Sequence, residues 1–292
     1  HKRLQKEVVL KKIKRKSRDA RINRNEVDIL KNLNHMYLPQ VVDFFEENGE
    51  IYTAMSFIPG RSLKELMEER RQFSQRQLIR WAMQLCSALN YLHTQTPPII
   101  HGDIKPANIM VTPRGDVCLI DFNVSFAVNG NTVLGYTEGY ASPEQYIIAL
   151  DSREGRELPQ YRVIDEKSDI YSTGATLFHL ITGKKAGRNR TKAEEYLLKK
   201  YVSEAFAAVI LKAMDPKSEK RYKNAREMFQ ALQNVYKKDA RYRKLVIGQR
   251  VAMLGLVAGM GLSIIAIGYG IHTMKLEKVN RYNEIVKQQT EY

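Results

Sequence analysis

Cysteine is scarce in this sequence, which contains only Cys86 and Cys118 among 292 residues. This scarcity excludes a disulfide-stabilised scaffold, and we expect both thiols to be reduced core residues, which suits a cytosolic compartment. The sequence also lacks an apolar signal region at its start, an internal repeat and a low-complexity linker. Because 43% of the residues are hydrophobic and 27% are charged, the composition excludes a disordered or collagen-like chain and allows a sizeable core.

Acidic residues are outnumbered by basic ones, 32 against 47, which gives a formal net charge of +15. Such an excess is typical of proteins that bind nucleic acid, an anionic membrane surface or a phosphate ligand. The basic residues cluster at positions 11–24 and again at 237–250. Since the sequence has no zinc-ligand spacing and no basic–aromatic RNA motif, we do not expect nucleic acid as a partner.

One long run, from Val251 to Ile271, contains no charged residue. At about 1.5 Å per residue it extends for about 30 Å, the thickness of a bilayer core, and we predict a transmembrane helix there. The alternative is a buried helix of a soluble domain. Basic residues dominate its N-terminal flank, so the positive-inside rule predicts a single-pass protein of the cell membrane whose preceding residues are cytoplasmic. Residues 272–292 would then form a short extracytoplasmic tail.

Small residues recur every four positions in this run, at Gly255, Gly259 and Ser263. This spacing predicts a close helix–helix face through which two copies of the chain would form a homodimer. The alternative is that membrane helices simply tolerate glycine, and the pattern alone does not separate the two.

Strands and helices alternate before the apolar run, and helices dominate after about residue 74. The patterns predict strands over Glu7–Lys14, Gln40–Phe45, Ile51–Phe57, Ile109–Thr112 and Val117–Ile120, and helices over Ala20–Leu33, Ser74–His93, Ser168–Thr182, Ala193–Lys200, Glu204–Met214 and Ala225–Tyr236. The sequence therefore predicts an α+β protein with a small strand-rich part and a mainly helical part.

The segment from His101 to Met110 carries the strongest chemical signal. It places Asp103, Lys105 and Asn108 on one predicted loop, and Asp121 follows after a short hairpin. Phosphoryl transfer needs a base near the acceptor hydroxyl, metal ligands and positive charge near the moving phosphoryl group. Asn and Asp supply the oxygen ligands that Mg²⁺ prefers. A polar turn with an Asx cap is the alternative, but four such groups at this spacing favour a phosphotransferase.

These motifs resemble those of the eukaryotic-like protein kinases, and of bacterial membrane-anchored Ser/Thr kinases in particular, over about residues 6–236. The resemblance implies the bilobal kinase fold followed by one membrane helix. The implied parts are a partial N-lobe at 1–58, a helical C-lobe at 59–236, a basic juxtamembrane segment at 237–250, a transmembrane helix at 251–271 and a tail at 272–292.

The resemblance also implies a role for individual residues. Asp103 would be the catalytic base, Lys105 would steady the γ-phosphate, Asn108 and Asp121 would bind Mg²⁺, and Thr137 would bond Asp103 and Lys105 beside the acceptor hydroxyl. ATP would lie against Lys11 and its partner Glu26, with Val9, Met55, Ser56, Ile58 and Met110 around the adenine. Lys12 or Lys14 as the ATP lysine, Glu26 as a surface charge, and Met55 and Met110 as plain core residues remain open alternatives.

Further motifs separate protein kinases from small-molecule kinases. Ser142-Pro143-Glu144 resembles the family's Ala-Pro-Glu segment, which implies an ion pair between Glu144 and Arg221. Asp169 resembles the acidic anchor beneath the catalytic loop. The sequence thus predicts an ATP-dependent Ser/Thr protein kinase that phosphorylates proteins in membrane-anchored signalling. A pseudokinase scaffold is the main alternative, and a small-molecule kinase is a weaker one.

The sequence departs from the family pattern in four places. It contains no Gly-rich loop and begins at His1, so we expect a fragment that lacks the strands covering ATP. Gly102 replaces the usual Arg, which predicts activity without strong dependence on phosphorylation of the activation segment. Asn123 replaces a Gly. The extra residues within 147–161 are expected to form a surface insertion, with a substrate or partner contact as the alternative.

Overall fold

A computed structural model describes residues 7–13, 31–48, 50–121, 136–154, 164–187, 191–238 and 240–290. The chain divides into two compact units, residues 1–236 and 237–292. Most of the predicted helix Ala20–Leu33, including Glu26, lies outside the described residues, as do Lys14 and Asn123.

The strand-rich part of the first unit is an antiparallel sheet of three strands. Its members are β1 (Val8–Ile13), β2 (Val41–Glu47) and β3 (Glu50–Ser56), in the order β1-β3-β2. In the β1–β3 ladder Val9 lies opposite Met55 and Lys11 opposite Thr53. Because side chains alternate along a strand, Val9 and Lys11 lie on one face of the sheet. The three predicted strands of this region are confirmed.

A smaller sheet and a short helix follow. The sheet joins β4 (Arg61–Ser62), β5 (Ile109–Val111) and β6 (Val117–Leu119), and helix α1 (Leu63–Glu68) directly follows β4. The sequence patterns did not predict α1, although its start carries a readable signal. Ser62 accepts a bond from the Glu65 N–H while the Glu65 carboxylate accepts one from the Ser62 N–H, which is a capping box.

Helices form the bulk of the first unit. Among the described residues, α1 is followed by α2 (Gln75–His93), α3 (Pro143–Arg153), α4 (Glu166–Thr182), α5 (Lys192–Tyr201), α6 (Glu204–Ala213), α7 (Ala225–Gln233) and α8 (Val235–Lys238), whose last two residues belong to the second unit. Helix α2 begins where its capping pattern predicts, because Ser74 and Gln77 cap each other's backbone N–H groups. Its apolar stripe, including Leu78, Leu85 and Leu92, is buried in the core. The α+β architecture predicted from the sequence is confirmed.

The expectation that the extra residues within 147–161 form only a surface insertion is wrong, because the first of them lie in helix α3. The helix runs through Arg153, and Ile148 and Ala149 are buried. Ile148 packs with Ile100, just before the predicted catalytic loop, and with Ile164. The first part of the extra segment therefore belongs to the core, because its apolar residues are needed on the inner face of α3. Residues 155–163 lie outside the described residues.

The second unit contains one long helix, α9 (Ala240–Thr290). A stretch of α9 within Ile247–Lys287 is long and apolar enough to cross a membrane. Apolar side chains along it, such as Leu254 and Ile264, are exposed, which differs from the buried core helix considered as the alternative. The helix extends on both sides of the predicted span, so the tail at 272–292 continues it as far as Thr290.

Candidate active site

A buried carboxylate, Asp169 of α4, holds the loop that precedes Asp103. Its Oδ2 accepts the His101 N–H at 2.9 Å and its Oδ1 accepts the Gly102 N–H at 2.8 Å. His93 Nε2 lies 2.8 Å from the same Oδ2. Burial raises the pKa of Asp169, but the hydrogen bond and charge of His93 and the loop N–H groups outweigh it and lower the pKa overall. Asp169 is thus an ionised anchor for this loop.

The His101 side chain supports the same loop from inside. Its Nε2 lies 3.0 Å from the Ile120 carbonyl oxygen, which can only accept, and its Nδ1 accepts the Asp103 N–H at 3.3 Å. These two contacts require a neutral ring with the proton on Nε2. Burial, the largest influence, lowers the pKa of His101 and so favours this neutral form. The ring therefore fixes the backbone at Asp103 against the strand that leads to Asp121.

Three of the predicted catalytic side chains meet in one hydrogen-bonded group. The Thr137 hydroxyl donates to Asp103 Oδ1 at 2.8 Å, and Lys105 Nζ donates to the same hydroxyl oxygen at 3.1 Å. Lys105 Nζ also lies 2.6 Å from Asp103 Oδ2. Asp103 and Lys105 are each about a quarter exposed, at 22% and 24% of their side chains, so the carboxylate is ordered and still open to a substrate.

Asn108 is locked onto Asp103 by its side-chain amide. Its Nδ2 donates to the Asp103 carbonyl oxygen at 2.8 Å and to Asp103 Oδ2 at 3.1 Å. Both bonds are donated by the amide nitrogen, so neither of them uses the amide oxygen. Asn108 is held there by the short 3-10 turn Pro106–Asn108, which opens with a proline whose missing N–H is tolerated at that position.

A cleft of about 270 Å³ brings together the residues that the sequence predicted around ATP. It is lined by Val9, Lys11, Met55, Ser56, Ile58, Met110 and Asp121, and also by Leu10, Pro39, Phe57 and Ile120. Sequence reasoning missed the last four. Ile120 could have been found as the residue before Asp121, whereas Pro39 reaches the cleft only through the tertiary fold.

The lysine of the cleft is Lys11. It forms an ion pair with Asp121, whereas Lys12 on the opposite face of β1 pairs with Glu50 at 3.0 Å. This separation favours Lys11 over Lys12 as the lysine that faces a ligand. The predicted partner of Lys11, Glu26, lies outside the described residues. Asp121 has φ 72°, a left-handed conformation that Asp tolerates better than most residues and that orients its carboxylate toward Lys11.

The structure contains the ion pair predicted between Glu144 and Arg221. Arg221 Nη1 and Nη2 donate to the two carboxylate oxygens of Glu144 at 2.7 and 2.8 Å, and Ser168 Oγ donates to Oε1 at 2.8 Å. Burial raises the pKa of Glu144, but the Arg221 hydrogen bonds and charge outweigh it, so the pKa is lowered. This bridge joins α3 to α4 and to the turn before α7, beneath the loop of Asp103.

One contact near Asp103 was not predicted from the sequence. Gln145 of α3 donates a hydrogen bond from Nε2 to the Gly102 carbonyl oxygen at 2.8 Å. The same side chain caps α3 by accepting the Ser142 N–H at 2.9 Å. The Ser-x-x-Gln capping pattern could have identified the cap, but only the fold brings Gln145 to the loop.

Acid is expected to destabilise the first unit. Burial lowers the pKa of His35, His101 and His179, so below about pH 6.5 the unfolded chain binds protons that the folded chain does not. Because the pKa values of Glu144 and Asp169 are lowered in the folded chain, stability falls further below about pH 4.5. We expect the melting temperature to be higher at pH 7.5 than at pH 5.5, as measured by thermal unfolding. A melting temperature that stayed constant or rose toward pH 5.5 would contradict this assignment.

Comparison with known proteins identifies the family. A family model described as the protein kinase domain matches residues 1–246, and the chain therefore belongs to the protein kinase family. Among its relatives is a "probable serine/threonine-protein kinase" of Clostridium acetobutylicum, 30% identical over 212 residues, which cover 67% of this chain and 30% of the relative. The chain spans about a third or less of the length of the curated relatives that it matches first.

Solved structures show the same fold. The crystal structure of the PknI kinase domain of Mycobacterium tuberculosis aligns with a TM-score of 0.54 and 20% identity, over 73% of this chain and 77% of that one. Rad53 in complex with AMP-PNP aligns with a TM-score of 0.56 and 21% identity, over 71% and 53%. The predicted kinase fold, with a partial strand-rich N-lobe and a helical C-lobe, is confirmed.

Proposed function

We propose that this chain is the catalytic part of a membrane-anchored Ser/Thr protein kinase, which transfers the γ-phosphate of ATP to Ser or Thr hydroxyls of proteins. The observation that carries the proposal is the bonded group of Asp103, Lys105 and Thr137, with Asn108 locked against it. A structural loop has no need of this set, whereas phosphoryl transfer uses each member. The kinase names of its relatives support the same activity.

Asp103 would accept the proton of the substrate hydroxyl. The hydroxyl oxygen then forms the bond to the γ-phosphorus, the bond from that phosphorus to the β–γ bridging oxygen breaks, and ADP leaves. Lys105, which reaches both Asp103 and Thr137, would stabilise the negative charge on the transferring group. Thr137 would hold Asp103 in the orientation that faces the acceptor.

ATP would occupy the cleft between β1 and β3 on one side and β5 on the other. Apolar side chains of the cleft, such as Val9 and Met110, suit an adenine ring, and Lys11 carries the positive charge for the phosphates. Among the described residues, nothing bonds the Ile58 N–H, which leaves it available to adenine. Rad53, which has the same fold, has been crystallised with AMP-PNP, and this supports nucleotide binding in general.

Mg²⁺ would be held by two oxygen donors, one from Asn108 and one from Asp121. The contacts of Asn108 with Asp103 use only its amide nitrogen, and the Asp121 carboxylate lines the cleft. Mg²⁺ is commonly bound by one or two protein oxygens together with substrate phosphates. Bound there, it would neutralise charge that develops on the phosphates, and Asn108 and Asp121 would hold it.

The proposal is tested by transfer of labelled phosphate from Mg²⁺-ATP by the full-length protein, with analysis of the labelled amino acids. Label on Ser or Thr is the expected result. Stabilisation by nucleotide in a melting experiment without any transfer would instead favour the pseudokinase scaffold. Label on Tyr alone, or on an added small molecule only, would also overturn the proposal.

Helix α9 would anchor the chain in the cell membrane, with the kinase part in the cytoplasm and α9 paired with a second copy through Gly255, Gly259 and Ser263. Among the described residues, and apart from the adjacent residues and the nearby backbone of α9 itself, a Cβ at Gly259 meets no atom within 4 Å, and neither does one at Gly261. We therefore expect Gly259→Leu to lower self-association in membranes, measured by cross-linking, while Gly261→Leu on the opposite face preserves it. Equal effects of both variants would exclude this face, and recovery of the full-length chain in the soluble fraction would exclude the anchor.

A further inference from the structure

We propose that Gln145 is a positioning residue for Asp103 and acts through the Gly102 carbonyl. The inference rests on the proposed kinase activity and adds a residue that the catalytic motifs do not include. Gln145 has only 1% of its surface exposed, and its amide lies between the start of α3 and the loop of Asp103.

The oxygen and the nitrogen of the Gln145 amide each form a hydrogen bond. Oε1 accepts the Ser142 N–H at 2.9 Å, and Nε2 donates to the Gly102 carbonyl oxygen at 2.8 Å. A rotation of the amide would break both bonds inside the protein, where unpaired polar groups are costly. The side chain is therefore held in one orientation, and its position is set by the first turn of α3.

The carbonyl that Gln145 holds belongs to the same peptide unit as the Asp103 N–H. That N–H donates to His101 Nδ1 at 3.3 Å, so the peptide plane is held by Gln145 at its oxygen and by His101 at its nitrogen. Since the Cα of Asp103 is attached to this plane, a rotation of the plane would redirect the carboxylate.

Glycine at position 102 makes such a holding contact necessary. Gly102 has φ 75°, in the left-handed region, and its own N–H is fixed by Asp169 at 2.8 Å. Without a Cβ, rotation about the bonds of Gly102 meets few steric barriers. The Asp169 bond holds the peptide before Gly102, and the Gln145 bond holds the peptide after it.

The segment from Thr137 to the first turn of α3 thus holds Asp103 at two points. Thr137 bonds its carboxylate, and Gln145 fixes the backbone that carries it. Both contacts are made by uncharged side chains, so the connection does not require a cation at position 102. Gln145 would couple the placement of this segment to the orientation of Asp103.

The test compares Gln145→Met with Gln77→Met in the full-length protein. Gln77 forms the same capping box with Ser74 at the exposed start of α2, so Q77M loses the cap alone. Q145M loses the cap and the bond to Gly102. Below the melting temperature of both variants, we expect Q145M to lower kcat by about 10-fold with KM for ATP unchanged, and Q77M to leave both unchanged. A kcat for Q145M equal to that of Q77M would overturn the proposal.

A second variant covers the case in which Q145M does not fold. In Gln145→Glu the carboxylate repels the Gly102 carbonyl, but the protonated carboxyl group can donate to it, and burial favours that form. We expect the activity of Q145E relative to the wild type to rise at least about threefold from pH 8 to pH 6. A ratio that does not change with pH would contradict the positioning role. If neither the wild type nor Q77M transferred phosphate, the proposed function itself would have failed.

Discussion

Replacing Asp103 with Asn is expected to lower phosphate transfer by roughly 10²–10⁴-fold and to leave the affinity for ATP nearly unchanged. An amide cannot accept the proton of the substrate hydroxyl. It also has only one acceptor oxygen, so it cannot accept both from Thr137 at one position and from Lys105 and Asn108 at the other. The rate is measured with labelled Mg²⁺-ATP, and nucleotide binding is measured by the shift in melting temperature.

Asp116→Asn provides the matched control. Asp116 lies between β5 and β6 and accepts hydrogen bonds from Arg80 and Gln84, so the same chemical change there weakens a carboxylate contact outside the active site. We expect D116N to lower stability and to keep kcat. If D103N retained more than about a tenth of the wild-type rate, Asp103 would not be the base.

Signals that are local in sequence predicted the elements well. Helix α2 begins at its Ser74 cap and ends at His93, as its apolar pattern predicts. The strands of the first sheet follow from alternation, and Asn48, which lies between β2 and β3 with φ 51°, is a residue type that favours such a turn. Such elements are predictable because neighbouring residues decide them.

The site required more than local pattern. Glu144 and Arg221 are 77 residues apart, and only the resemblance to kinases pointed to their pairing. The roles of Gln145 and Ile148 were not predicted at all. Nothing in the sequence around them shows that the start of α3 packs against the loop of Asp103. Contacts of this kind arise from the packing of whole elements, and the apolar residues at 147–150 do not themselves show which element they pack against.

Replacing Arg221 with Met is expected to destabilise the first unit by about 3–5 kcal/mol. The Arg221 side chain is fully buried and donates to both oxygens of Glu144, to the carbonyl of Asp215 through Nε at 2.7 Å and to that of Lys167 at 3.0 Å. Methionine would fill much of the space but would leave a buried carboxylate and several carbonyl groups without donors. The loss corresponds to a drop of roughly 10 °C in melting temperature.

Two further variants separate the ion pair from the packing. Arg61→Met breaks the exposed pair with Glu69 on the surface, and we expect it to lower stability far less than R221M, because exposed ion pairs contribute little. Adding Glu144→Met to Arg221→Met removes the stranded charge, so the double variant should be more stable than R221M alone. If R221M and R61M lowered the free energy of unfolding by the same amount, the buried bridge would not be what joins α3 to α4. If the double variant were no more stable than R221M, the cost would lie in the carbonyl contacts rather than in the charge of Glu144.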